Sequence, residues 1–181
     1  MVERLKEEYN AEVEWRPFYL RPDTPPEGID LPDYIKRARA NGSEERLASI
    51  ANVYGMKFRS TERIYNTRLA HEATEYAREH GRGNEFHKIM FRKVYVDGYD
   101  PGQWDVLRST AEAAGLDADE MQRDVDDGKY TENVAGQVQW AYQIGVSGVP
   151  TYLINDRYAV VGAQPYEVFK NALEQIVNQK S

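Results

Sequence analysis

The chain has 181 residues, a net charge of −7, an isoelectric point near 5.1 and no cysteine. The acidic balance argues against nucleic acid and anionic membranes as partners, and the lack of thiols excludes disulfides and thiolate metal sites within these residues. Mean hydropathy is −0.74, and no run approaches the ~18 apolar residues of a spanning helix. Residues 1–8 hold no apolar stretch of the kind a secretory signal needs, so none is expected.

Taken in order, residues 2–9 predict a helix with Val2, Leu5 and Tyr9 on one face. Asn10 is its expected stop. Residues 11–20 hold Val13, Trp15 and Tyr19, side chains that favour a pleated surface, and predict a strand. Pro17 lacks an N–H and would make that strand an edge. Residues 21–32 are a proline-rich loop.

From residue 33 to 145 the periodicity is helical nearly throughout. A short helix over 33–40 closes at Asn41-Gly42. Ser43 is the expected N-cap of the next helix, whose apolar face is Leu47, Ile50, Ala51 and Tyr54. Asn66 caps a helix running to Arg78, and Asn84 opens another that ends at Asp97-Gly98. Asp100-Pro101 reads as an N-cap with proline at the first helical position. Asp117 and Thr131 cap the last two helices of this stretch, the second ending at Gly145. Helices without strands predict an insertion domain over 33–145, within an α/β domain formed by 1–32 and 146–181.

Residues 145–155, Gly-Val-Ser-Gly-Val-Pro-Thr-Tyr-Leu-Ile-Asn, leave that last helix through a glycine turn and enter a β-rich run. A second β-rich run over 158–161 follows, then Gly162-Ala163-Gln164-Pro165 and an amphipathic helix from Tyr166 to Val177. Proline cannot donate to a ladder, so Pro150 belongs at the first residue of a strand or on an edge, and it keeps Val149 extended. For an arbitrary X-Pro bond the trans form dominates, with cis at only ~5–6% in folded proteins.

This order of elements resembles the C-terminal half of a DsbA-type thioredoxin fold. Val146–Asn155 and the Tyr-Ala-Val-Val-Gly-Ala-Gln-Pro block at 158–165 are similar to its cytoplasmic FrnE-like branch, as is Trp15-Arg16-Pro17-Phe18-Tyr19-Leu20. The resemblance implies a thioredoxin-like α/β fold with a helical insertion and a cytoplasmic location. It also implies a cis Val149-Pro150 bond beside the redox centre. Gly148, Val149 and Pro150 would bind substrate, the backbone of Val149 pairing with an extended peptide.

The family opens with a first strand and then a Cys-X-X-Cys motif at the start of the first helix, where unpaired N–H groups and the helix dipole stabilise a thiolate. This sequence begins within that helix, so the first strand is expected to be missing. Exchange proceeds by thiolate attack and resolution by a second thiol. With no cysteine, and no Ser, Thr or His in those places, these residues have no catalytic residue for it. Without the first strand, 11–20 and 150–155 would face a gap. Rearranged pairing, a homodimer supplying a strand and a weakly stable monomer are the outcomes open to the chain, and the last two are the expected ones.

Other chemistry is less well supported. His71, His80 and His87 lack metal-ligand spacing, and Glu120 with Asp124, Asp126 and Asp127 lacks the spacing of a calcium loop. No metal and no cofactor are expected. Asn66-Thr67-Arg68-Leu69-Ala70-His71 resembles the opening of a helix in the FrnE-like branch, and Asn66 is read as a cap. The leading expectation is a protein thiol–disulfide oxidoreductase, redox-inactive in these residues, with protein or peptide thiols and disulfides as substrates. One alternative is a 2-hydroxychromene-2-carboxylate isomerase or kappa glutathione transferase-like enzyme, with glutathione as partner. The other is a redox-silent peptide-binding module.

Overall fold

The computed structural model describes residues 2–53 and 55–178, with side chains through residue 176. Tyr54, assigned above to an apolar helix face, lies outside the described residues. Two compact units form, Met1–Leu20 with Gln137–Ser181, and Arg21–Gly136. The sequence places the divisions at 32/33 and 145/146, whereas packing places them at 20/21 and 136/137. The 21–32 loop is tied to the helical part. Asn66 Nδ2 donates to the Thr24 carbonyl at 2.6 Å, and β1 (Ile29–Asp30) pairs antiparallel with β2 (Arg63–Ile64).

β2 is a strand inside the stretch expected to be helical. A two-residue ladder is too short to leave a periodic signature. It is reinforced by Arg63 Nη1 donating to Asp30 Oδ1 at 2.6 Å. The other elements of the 21–136 unit are helices: α2 (Asp33–Ala38), α3 (Glu44–Val53), α4 (Arg68–Glu79), α5 (Gly83–Arg92), α6 (Trp104–Ala113), α7 (Ala118–Asp126) and the start of α8 (Thr131–Gln143).

The core of this unit forms where α4 to α7 meet. Tyr76, Phe86, Leu107, Met121 and Val125 are buried among the small side chains Ala73, Ala77 and Ala111. Each large apolar side chain removed from water contributes about 1.5–3 kcal/mol. The alanines allow close approach and place little side-chain entropy at risk.

Local chemistry sets the helix ends. Asn66 is not itself the N-cap of α4, which is Thr67 with no side-chain capping bond; one residue earlier, Asn66 Oδ1 accepts from the Arg68 N–H at 2.9 Å, and Asp117 Oδ1 accepts from the amides of Asp119 and Glu120, both at 2.9 Å. Each satisfies donors that a helix start leaves open. Asn41-Gly42 breaks the chain between α2 and α3, with Gly42 at φ 89°.

Three expectations need correction here. α6 begins at Trp104 and not at Pro101, because the Asp100 carboxylate builds a turn, accepting from Gly102 N at 2.8 Å and Gln103 Nε2 at 3.1 Å. Thr131 does begin α8, but its hydroxyl donates to Glu72 Oε1 at 3.1 Å. It completes a buried carboxylate that also takes Arg68 Nη1 at 2.9 and 3.0 Å. On α3, Leu47 and Ile50 are exposed while Ala51 is buried, so the apolar face drawn from periodicity is not a core face.

The other unit contains α1 (Val2–Tyr9), the extended segment 11–20, the end of α8, the hairpin β3 (Thr151–Ile154) and β4 (Tyr158–Val161), and α9 (Tyr166–Asn178). Asn10 stops α1 at φ 50°. α1 meets the start of α9, where Arg4 lies 3.8 Å over the Tyr166 ring and the Tyr166 hydroxyl donates to Glu8 Oε2 at 2.5 Å. Tyr152 of β3 packs on Phe169 of α9, ring centroids 4.7 Å apart.

The strand expected over 11–20 does not form. A strand needs a neighbour to exchange backbone hydrogen bonds, and among the described residues β3 pairs only with β4. Side chains of α8 hold the segment instead. Tyr142 donates its hydroxyl to the Tyr19 carbonyl at 2.6 Å, Phe18 sits 5.0 Å from the Tyr142 ring, and Pro17 is buried. No helix of the described residues is long and apolar enough to cross a membrane.

Candidate functional site

The site is the turn between α8 and β3 and the hairpin that follows. α8 closes by bonding the Gly145 N–H to the Tyr142 carbonyl at 3.0 Å and the Val146 N–H to the Ala141 carbonyl at 2.9 Å. Gly145 takes φ 85°, a left-handed conformation that suits glycine at a helix end. Residues 146–150 then turn the chain into the strand, and the Val149–Pro150 peptide bond is cis.

Two of the three predicted binding residues have their carbonyls engaged. Thr151 Oγ1 donates to the Gly148 carbonyl at 2.7 Å. The Gly162 N–H donates to the Pro150 carbonyl at 2.8 Å, which joins the Gly-Ala-Gln-Pro block to the start of β3. Val149 differs. It is 51% exposed, and neither its amide nor its carbonyl has a hydrogen-bond partner among the described residues. A free donor and acceptor on one residue can pair with an extended chain.

β3 and β4 form a four-pair antiparallel ladder, from Thr151↔Val161 to Ile154↔Tyr158. Asn155 and Asp156 turn the hairpin at φ 52° and 53°. Both residues belong to the few types that tolerate this region, which primed hairpin turns require. Tyr152 and its neighbours on one face point toward α9, and burial raises the Tyr152 phenol above its ordinary pKa. The opposite face, with Thr151, Leu153, Ala159 and Val161, floors a groove of about 630 Å³.

The groove walls are side chains that periodicity could not reveal. Arg16 arrives from the extended segment, with Trp140 and Ile144 from the end of α8 and Asp156 and Arg157 from the hairpin turn. The Arg16 guanidinium lies 4.8 Å from the Trp140 ring and also bonds the exposed Glu14 at 3.1 Å. Trp15-Arg16-Pro17-Phe18 carried a signal only as part of a family pattern. A second cavity of about 280 Å³ lies within the helical unit, between α2, α3, Phe58 and Tyr95.

The three histidines belong to the helical unit. Burial pushes His71 down to about 4 and His87 down to about 4, the latter aided by the nearby His71. The His80 ring lies 4.1 Å from that of Tyr76, its Nδ1 2.9 Å from the Tyr76 carbonyl. Of the acidic set on α7, Asp124 bonds Lys129 Nζ at 2.8 Å, and Glu120 Oε2 accepts from the Tyr76 hydroxyl at 3.1 Å. Among the described residues no group of three His, Asp or Glu could hold a metal ion.

Comparison with known proteins agrees with this layout. The chain is 27% identical over 172 residues to YwbO of Bacillus subtilis, an uncharacterised protein, covering 94% of this chain and 85% of the relative. It is 31% identical over 91 residues to a 2-hydroxychromene-2-carboxylate isomerase of Sphingobium xenophagum, covering 47% of this chain and 44% of that enzyme. A crystal structure of a probable DsbA oxidoreductase from Streptomyces coelicolor superposes with a TM-score of 0.82 at 27% identity, covering 92% of this chain and 75% of that one. The fold is thus a DsbA-like thioredoxin fold, rich in helix with a few short strands. The model of the DSBA-like thioredoxin domain matches residues 1–174, and the chain belongs to that family.

Proposed function

We propose that this chain serves thiol–disulfide exchange on proteins in the manner of the FrnE-like branch, by holding extended polypeptide at Gly148, Val149 and Pro150. The observation that carries this reading is the exposed Val149, whose backbone donor and acceptor both lack a partner among the described residues. Backbone pairing is sequence-tolerant, as a site for many unfolded substrates requires. These 181 residues contain no cysteine, so the exchange step itself, thiolate attack on a disulfide sulfur and release of the other thiol, uses sulfur outside them.

A second reading is favoured by the 31% identity to the isomerase over 91 residues. It takes glutathione in place of polypeptide.

The two readings separate by binding. A reduced, carboxymethylated unfolded protein is expected to bind the chain, and Val149→Pro, which removes the amide donor, is expected to weaken binding about tenfold. A melting curve of the variant controls for folding. Glutathione binding without polypeptide binding would select the isomerase-like reading. Polypeptide binding unchanged by Val149→Pro would end the proposal.

A further inference from the structure

Sulfur is present in these residues only as the thioethers of four methionines. Met1 lies outside the described residues, and the surroundings of the other three differ sharply. Met90 is 6% exposed and Met121 0%, both inside the cluster formed by α4 to α7, whereas Met56 is 50% exposed. A dissolved oxidant meets the Met56 side chain on the folded chain. It meets the other two only when the fold opens.

Met56 also stands at a helix end. Gly55 takes φ 70°. Its N–H donates to the Asn52 carbonyl at 3.0 Å, and the Met56 N–H reaches back to the Ala51 carbonyl, also at 3.0 Å. These bonds satisfy carbonyls that the last turn of α3 leaves open, and the pattern favours an apolar residue in the place of Met56, where it covers that turn near Ala51. Ala51 is the buried residue of α3, while Leu47, Ile50 and Val53 are exposed. A helix of 10 residues is marginal without tertiary packing, so α3 depends on how its ends are held. Just beyond Met56 the chain is fastened independently. The Phe58 ring stacks on Tyr95 with centroids 6.1 Å apart, and the Arg59 N–H donates to the Tyr95 carbonyl at 2.7 Å. A change at Met56 is therefore felt by α3 before it is felt at 58–59.

We infer that Met56 is a reversible oxidation site and that its sulfoxide loosens the C-terminal turn of α3. The co-reactant is hydrogen peroxide. A lone pair of the thioether sulfur attacks one peroxide oxygen, an S–O bond forms as the O–O bond breaks, and the departing hydroxide takes the proton of the new S–OH group and leaves as water. Sulfur is oxidised by one electron pair and the peroxide is reduced by it. The product is a polar, chiral side chain where the helix end carries an apolar one, and methionine sulfoxide reductases restore the thioether. This inference goes beyond the polypeptide-binding reading and does not depend on it.

The test treats the full chain with hydrogen peroxide and follows each methionine by peptide mass spectrometry. Met56 is expected to gain an oxygen at least about tenfold faster than Met90 and Met121, whose sulfurs wait for the fold to open. Equal rates at the three positions overturn the site. In the oxidised chain, hydrogen exchange is expected to accelerate across 44–53 while amides of α4 to α7 keep their protection. Unchanged exchange across 44–53 overturns the link to α3. Met56→Leu keeps an apolar side chain at the helix end and retains every other methionine, so peroxide is expected to leave its exchange as it was. The same acceleration in that variant places the effect at another residue and overturns the inference. Treatment of the oxidised chain with methionine sulfoxide reductases A and B is expected to remove the added oxygen and restore slow exchange. A Met56 sulfoxide that resists both enzymes overturns reversibility.

Discussion

Phe86 and Phe169 are both buried, at 0% and 1% exposure, yet they sit in different kinds of structure. Phe86 belongs to a cluster contributed by α4 to α7, helices that satisfy their own backbone hydrogen bonds. Phe169 packs on Tyr152 of the β3–β4 hairpin. Helices need neighbours only for their apolar faces, whereas strands need neighbours for their backbones as well. Two strands alone are marginal. The same degree of burial therefore closes a core among several helices in one unit and fastens a hairpin to one helix in the other.

The sharpest way to break that comparison is to delete both rings. Phe86→Ala is expected to cost about 3–5 kcal/mol, read as an earlier urea midpoint with loss of helical circular dichroism. Phe169→Ala is expected near the low end, about 3 kcal/mol, because a hairpin can relax toward the space left behind. Hydrogen exchange should accelerate in β3 and β4 while amides of α4 to α7 stay protected. Uniform loss of protection in both variants would show that the units do not differ in this way.

A smaller effect is confined to the helical unit. His71 and His87 are depressed to about 4 in the folded chain and titrate near 6.5 when unfolded. Between those values the unfolded state binds more protons, so the stability contribution is full above pH 6.5 and is lost as pH falls toward 4. The slope is at most about 1.4 kcal/mol per pH unit for each ring, reduced because both rings retain some exposure. Denaturant midpoints measured from pH 7 to 4.5 should fall, and the double variant His71→Gln, His87→Gln should flatten the curve.

The smallest change concerns the tie that assigns the 21–32 loop to the helical unit. Asn66 binds the first amide of α4, that of Arg68, and holds Thr24 with the same side chain. Asn66→Ala is expected to cost about 0.5–1.5 kcal/mol for each of the two hydrogen bonds lost. Proteolysis within 21–32 should speed up at the same time. A stability loss with no change in cleavage would assign Asn66 to the start of α4 alone.

Much of this was legible in the residues. Asn10, Asn41-Gly42, Asp117 and Gly145 end or begin helices as their side-chain chemistry predicts, and β3 and β4 fall where β-rich runs flank Asn155-Asp156. What could not be read was anything that depends on distant partners. Val13, Trp15 and Tyr19 have the makings of a strand, but among the described residues no strand pairs with them. Leu47 and Ile50 recur at helical spacing, yet nothing among the described residues buries them as it buries Ala51. The groove wall joins Arg16 to Trp140 and Arg157, residues far apart in sequence, and no spacing rule links them.

By itself the sequence determined the local conformations of this protein, the family pattern around Val149-Pro150 and the absence of thiol chemistry in these residues. Each follows from near neighbours or from composition. Tertiary structure alone decided that 11–20 remains extended without becoming a strand and that Thr131 serves Glu72. Hydrogen bonds between strands and between buried side chains form only when the fold brings their partners together.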